Sequence, residues 1–539
     1  MRLAVNLLIL LTFFTTPTQA DSPDKLLQAR LEAHIQFLAD DLLRGRQPGT
    51  DGYDIAAAYV ASQFRQMGLQ PAGTDGSYFQ PVPLRRAWLN DGSATMELVR
   101  GSATHAFRYV DEFYRGASLA HTESNIEAEM VFVGYGIDAP LLDYNDFEGV
   151  DLTGKIAVTL AGQPVDFPSE EGAHFASGRE ISKNLASRGA IGAIRIYTPR
   201  SEQRYAWSRM ESMVGMPSMG WLDQDGEVFA TFPSMRGGAT LHFSAAEVLF
   251  ENAELSLAEL LAKDETGQAL PAFALPGTMR MSQASRHETI TSPNVAAYLP
   301  GSDPLLNAEF MLYTAHLDHL GELHGDHDDA INNGALDNAS GISVMLETAR
   351  LFTQQEAPRR SVLFLAVTAE EKGLVGSEYF AHNPTIPAAK MTAVVNLDMP
   401  LLLYDFGDVI AFGAEHSTLG ETVRQAAEQA GVALTPDPFP EQNIFVRSDH
   451  YRFVQQGVPS VFLVTGMESM DGETDARAIF EGFLQKHYHT PSDETTLPID
   501  YAAAARFTRI NFDIGKKIAN ELERPRWHEG DFFGETFGR

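Results

Sequence analysis

The chain has 539 residues, 44 % hydrophobic and 21 % charged, a balance that fits folded domains and excludes collagen, coiled coil and a disordered chain. Acidic residues outnumber basic ones 72 to 40, and the resulting net charge of −32 repels nucleic acid and anionic membranes as partners. Cysteine is absent, which excludes disulfides, thiol catalysis and cysteine-bound zinc, so any metal must be held by His, Asp and Glu.

Residues 1–20 predict a cleaved signal peptide, with Arg2 at its start, an apolar run Leu3–Phe14 and a small-residue site ending at Ala20. That run is too short to span a bilayer, which takes about 20 apolar residues. The expected home is therefore the periplasm or the outside of the cell. Apolar residues at Leu27, Leu31, Ile35, Leu38 and Leu42 predict a helix over 24–43, ended by the turn Gly45–Gly52, and a second helix covers 53–67. Strand-like pieces fill 78–115. From about 120 a compact β/α unit follows, with apolar runs at 129–137 and 154–162, a helix through 183–190 and a strand at 191–197. A helix is expected near 245–262. After 291 the pattern alternates regularly. Strands at 309–315, 361–368, 392–397, 408–413 and 460–465 are interleaved with helices at 338–353, 373–382, 417–430 and 500–522. This alternation predicts an α/β fold, a mostly parallel mixed sheet with helices on both faces. The expected division is 21–119 and 283–539 for the main domain and 120–282 for an insertion.

Open α/β sheets collect their chemistry at the carboxyl ends of the strands. Those ends carry His316 and Asp318, then Asp337 before a helix, then the pair Glu370–Glu371, then Asp398, with Tyr488–His489 in a late loop. Each residue alone has an ordinary reading as a surface hydrogen bond, a solvated corner or a helix cap. Together they gather hard and borderline metal ligands without one cysteine, and paired acids at an apolar strand end are costly without a cation. Two ions sharing a water need one bridging carboxylate, a His and a carboxylate on each side, and a free carboxylate to take the proton. Adjacent glutamates could supply a ligand and a base.

The strings AHLDHLG, NGALDNASG, TAEEKGLVGSEYF, VVNLDM, RSDHYRF and HYHTPSDE, in this order, resemble the dizinc exopeptidases that include bacterial leucyl aminopeptidases, glutamate carboxypeptidase and the transferrin receptor. Residues 120–282 resemble a protease-associated (PA) domain inserted into such a peptidase. The resemblance implies two divalent ions, zinc first, with Asp337 bridging, Glu371 and His489 completing one site and His316 and Asp398 the other. It further implies Glu370 as general base and later acid, Asp318 orienting His316, Tyr488 polarising the scissile carbonyl, and a cis peptide after Asp337. His319, His324 and His327 read as loop residues, His450 as a residue lining the site, and Arg447 as a surface ion pair or a contact for a substrate carboxylate. His487 points away from His489 if that segment is extended.

The function these residues imply is peptide hydrolysis by an aminopeptidase. A carboxypeptidase or glutaminyl cyclase of the same fold are alternatives within enzymes, and a secreted binding module with structural metals is the alternative outside them.

Overall fold

The computed structural model describes residues 23–325 and 327–538, so the predicted signal peptide lies outside the described residues. No helix among them is long and apolar enough to cross a membrane.

The chain is α/β. Its main sheet runs, edge to edge, Ser218–Trp221, Phe79–Leu89, the second half of Ala272–Leu299, Ser361–Val367, Phe310–His316, Met391–Leu397, Ser460–Thr465, Asp408–Phe412 and Ala433–Thr435. The four strands from Ser361–Val367 to Ser460–Thr465 are parallel neighbours, and antiparallel strands flank them. All four are mostly apolar and buried almost throughout because both faces are covered. Met311, Tyr313 and Phe364 pack with Phe352 and Phe507 from the helices Ser340–Thr353 and Tyr501–Asn520. Leu312, Leu363 and Val394 pack instead with Phe380 and Phe453 from Val375–His382 and His450–Val454. Each such buried aromatic is worth about 1.5–3 kcal/mol of burial.

A second sheet forms a lobe of its own. Its strands Glu123–Val133, Ile156–Leu160, Gly192–Tyr197 and Gly237–His242 are parallel neighbours over a core of Phe132, Val158, Ile194 and Leu241. The 28-residue strand Ala272–Leu299 belongs to both sheets, pairing with Glu123–Val133 in its first half and with Phe79–Leu89 in its second.

Three expectations need correction. The hairpin Thr95–Arg100 and Ala103–Ala106 joins the lobe sheet, so the lobe begins near residue 95 and not at 120. Conversely, Ser218–Trp221 leaves the lobe and pairs with the main sheet. Strand patterning reveals that a segment pairs, not which sheet it joins. The helix expected over 245–262 is broken: Asn252 sits at φ 62, and the helix proper is Leu257–Glu265, started by a Ser256–Glu259 capping box. The first helix stops at Leu38, because Asp40 turns extended (ψ 140°) and caps a separate short turn, Asp41–Arg46, on which Leu42 is 82 % exposed.

The lobe is fixed to the body by polar clamps. Arg179 pairs with Glu378, which also accepts from the Trp221 indole at 3.0 Å. His174 meets the Tyr451 hydroxyl at 2.7 Å. His416, in the loop after Asp408–Phe412, lies between Glu170 of the lobe and Asp531 of the C-terminal tail, with Glu415 beside them. The tail aromatics pack on the body, with Phe533 against Phe445 and His416. Burial disfavours a charged His416, but its two carboxylate hydrogen bonds prevail and raise its pKa to about 10. A folded pKa above the ordinary 6.5 means this clamp stabilises fully below pH 6.5 and is lost as pH rises through about 10. His416→Gln is expected to cost about 3 kcal/mol at neutral pH. It should also flatten the fall in melting temperature between pH 6.5 and 10, and thermal melts of both proteins across that range check this.

Candidate metal centre

Three adjacent parallel strands deliver the candidate ligands. His316 is the last residue of its strand, Asp398 follows Leu397 directly, and Glu370–Glu371 follow Val367 after a short turn. Asp337 arrives on the turn before the helix Ser340–Thr353, and His489 on the loop after Ala476–Lys486. Ala369, Met399 and His489 all hold positive φ, a costly arrangement that clusters where side chains must be aimed. The Asp337–Asn338 peptide is cis.

Asp337 divides its two oxygens. Oδ1 lies 3.2 Å from His316 Nε2, which is also 3.0 Å from Asp398 Oδ1. Oδ2 lies 3.2 Å from His489 Nε2, which is also 3.2 Å from Glu371 Oε2. The Asp493 carboxylate anchors the main chain that carries Asp337, accepting from the Leu336 and Asp337 N–H groups at 2.9 Å each. Asn338 ties the next residue to the Leu397 carbonyl at 2.9 Å. Asp398 is steadied by Ser448 at 2.6 Å, itself held by Asn396 at 2.7 Å.

The two glutamates differ sharply. Glu371 is engaged by His489 and by His319, whose Nδ1 lies 2.7 Å from Oε1. The Glu370 carboxylate has no hydrogen-bond or ion-pair partner among the described residues. Burial raises its pKa well above the usual carboxylate range; His316 opposes this, and Asp398, Asp449 and Glu371 add to it. Tyr488 stacks on His489 with ring centres 3.8 Å apart, and burial, with Asp337 adding, keeps its phenol protonated.

The donor set fits divalent cations. The ligand atoms of His316, Asp337 and Asp398 lie within 4.8 Å of one another, as do those of His319, Asp337 and Glu371. Burial opposes charge on His489, yet Glu371 and Asp337 raise its pKa to about 10. His316 is raised likewise, against burial, by Asp398 and Glu370. The carboxylates thus demand positive charge, and a cation can supply it in place of these protons.

Three expectations about single residues change. The Asp318 carboxylate does not hold His316; its carbonyl faces His316 Nδ1 at 3.2 Å, while its carboxylate accepts the Glu370 and Glu371 N–H groups at 3.0 and 3.3 Å. His319 is no loop bystander: it is fully buried against Glu371, and its Nε2 has no partner. His450 does not line the site; it starts the helix His450–Val454 between Phe445 and Phe462, and burial lowers its pKa to about 3. His324 and His327 stay in an exposed loop, and His487 turns to Ser492.

Sequence reasoning assigned no role to Arg46 or Asp493. Arg46 is buried behind the site and donates to the carbonyls of Leu317, Leu38, Asn333 and Gly334, knitting the N-terminal segment to the ligand turns. Burial lowers its pKa to about 10, with Asp337, Asp493, Asp318 and Glu371 opposing.

Residues 294–514 match Peptidase family M28. The chain is 30% identical over 275 residues to "Probable leucine aminopeptidase 2" of Aspergillus fumigatus, covering 48% of this chain and 49% of that one. It is 31% identical over 369 residues to "Aminopeptidase YwaD" of Bacillus subtilis, covering 66% and 62%. It thus spans about half to three-fifths of the length of these relatives. Among solved structures, the aminopeptidase from Aneurinibacillus sp. strain AM-1 shares the fold, with a TM-score of 0.54 at 19% identity over 92% of this chain and 95% of that one. Across the segment that carries every candidate ligand, the chain resembles the zinc exopeptidases of peptidase family M28.

Proposed function

We propose that this protein is a zinc-dependent aminopeptidase that removes N-terminal residues from peptides outside the cytoplasm. The observation that carries the reading is the division of Asp337 between the His316–Asp398 and His489–Glu371 pairs, with an unpartnered Glu370 beside them. The relatives named as aminopeptidases support it. His316 and Asp398 would hold one ion and Glu371 and His489 the other, with Asp337 shared. When bound, such a pair polarises the scissile carbonyl and acidifies the attacking water.

The chain's own residues do the rest. Glu370 takes the proton from the water and returns it to the leaving amine. Tyr488 donates its O–H toward the carbonyl oxygen as charge builds there. Asp318 is a positioning residue that fixes the Glu370 main chain, and His319 orients Glu371. The lobe, which we read as a PA domain, lines one side of the cleft with Gln203, Arg204, Tyr205 and Arg209, and in this reading it restricts entry to chain ends.

The test is digestion of a mixed peptide library, read by mass spectrometry with and without chelator. Stepwise loss from free N-termini, abolished by chelator and restored by zinc, is the expected result. Loss from C-termini alone would replace the aminopeptidase by a carboxypeptidase, loss of ammonia from N-terminal Gln would indicate a cyclase, and no turnover with metal bound would leave a binding module.

A further inference from the structure

A cavity of about 380 Å³ opens beside Asp398, Ser448 and Tyr488. Its floor is apolar, built from Met399, Phe412, Phe462 and Phe480. An apolar floor suits any hydrophobic side chain. The mouth does not, because three arginines line it: Arg447 from the main domain, and Arg204 and Arg209 from the lobe. Among the described residues none of the three makes an ion pair, in a chain where acids outnumber bases 72 to 40. Their partners are neutral. Arg447 donates to the Gln442 carbonyl at 3.3 Å and Arg209 to the Leu484 carbonyl at 3.2 Å. Both guanidinium groups lie over the Tyr205 ring, 5.4 and 5.5 Å from its centre.

The acids of the cavity do not cancel this charge. Glu481 is paired with Arg477 at 3.2 Å, and Asp398 is committed to His316, which leaves Glu441 facing three guanidinium groups. Arginines without an ion pair at the rim of an apolar cavity are a receptor for a carboxylate, which a guanidinium grips with two parallel hydrogen bonds.

We propose that this cavity takes the terminal residue of an acidic peptide, its methylene groups on the apolar floor and its carboxylate on Arg447, Arg204 and Arg209. The proposal rests on the exopeptidase reading for the word peptide, though not for the ligand chemistry. The carboxylate has two possible sources, the side chain of an N-terminal Glu or Asp and the free α-carboxylate of a C-terminal residue.

Calorimetric titration of the zinc-loaded full chain with glutamate, glutamine, glutamate α-amide and lysine separates them. Glutamate is expected to bind about tenfold or more tightly than whichever of glutamine and the α-amide lacks the recognised carboxylate, the difference a charge-assisted hydrogen bond makes, and lysine, which keeps only the α-carboxylate, is the control. An advantage over glutamine assigns the side-chain carboxylate, and an advantage over the α-amide assigns the α-carboxylate. Arg447→Gln should remove that advantage about tenfold while zinc content holds, and Arg447→Lys should restore part of it. A carboxylate held by the metal alone would keep its advantage in Arg447→Gln and overturn the proposal, as would equal binding of all four ligands. Because binding is read without turnover, a peptide library left intact by a protein that still prefers glutamate would remove the peptidase reading and leave this one standing.

Discussion

Glu370→Gln is expected to keep the full metal content and lower kcat about a thousandfold, within the 10²–10⁴ that a positioned acid–base group supplies. The reason lies in how differently two adjacent glutamates are held. Glu371 is gripped by two imidazoles, His489 and His319, on opposite oxygens. Glu370 has no such partner, and burial raises its pKa above the usual carboxylate range. The main chain of both is fixed by Asp318 through N–H groups that the substitution leaves untouched. Gln has the same shape and cannot accept the proton, so loss of rate without loss of zinc isolates the base. Metal analysis and kcat on one preparation decide it; wild-type kcat would sink the assignment. Glu371→Gln should behave in the opposite way and lose metal first.

Most of the central architecture was legible because it obeys two periodicities. The runs at 310–316, 361–367 and 391–397 are mostly apolar and buried almost throughout, as strands covered on both faces are, and the acids and His316 stand where those runs stop. What escaped reading depends on contacts distant in sequence. Arg46 lies in a polar turn with nothing to mark it, and only a positive φ of 48° brings its guanidinium beneath Leu317 and Gly334, about 270 and 290 residues away. His319 sits in the same short turn as His316, and spacing alone does not tell whether a third imidazole faces inward or outward. Asp318 was placed one bond too literally: a His-x-Asp spacing permits a carboxylate–imidazole contact, yet the N–H groups of Glu370 and Glu371 offered it better donors. The lobe boundary failed for another reason. Residues 95–106 alternate as strands do whichever sheet they join, and the 28-residue strand 272–299 crosses from one sheet to the other without a break in pattern.

Asp337→Ala is expected to abolish zinc binding at both positions and with it all measurable hydrolysis. A carboxylate that serves one ion would, when removed, leave the other in place. Asp337 cannot be partitioned that way, since Oδ1 belongs to the His316–Asp398 side and Oδ2 to the His489–Glu371 side. The substitution is also a clean one. Asp493 holds the turn through the Leu336 and Asp337 main-chain N–H groups, which alanine retains, and Asn338 anchors the following residue through its own amide. The remaining ligands therefore keep their positions while the link between them disappears. Zinc stoichiometry by mass spectrometry of the native protein checks this. A fall to no bound ion supports a shared carboxylate, whereas one ion retained would show that the two sides bind independently and that Asp337 serves only one of them. His316→Ala supplies the contrast, because it strips a ligand from one side and leaves the His489–Glu371 pair and its Asp337 Oδ2 contact intact.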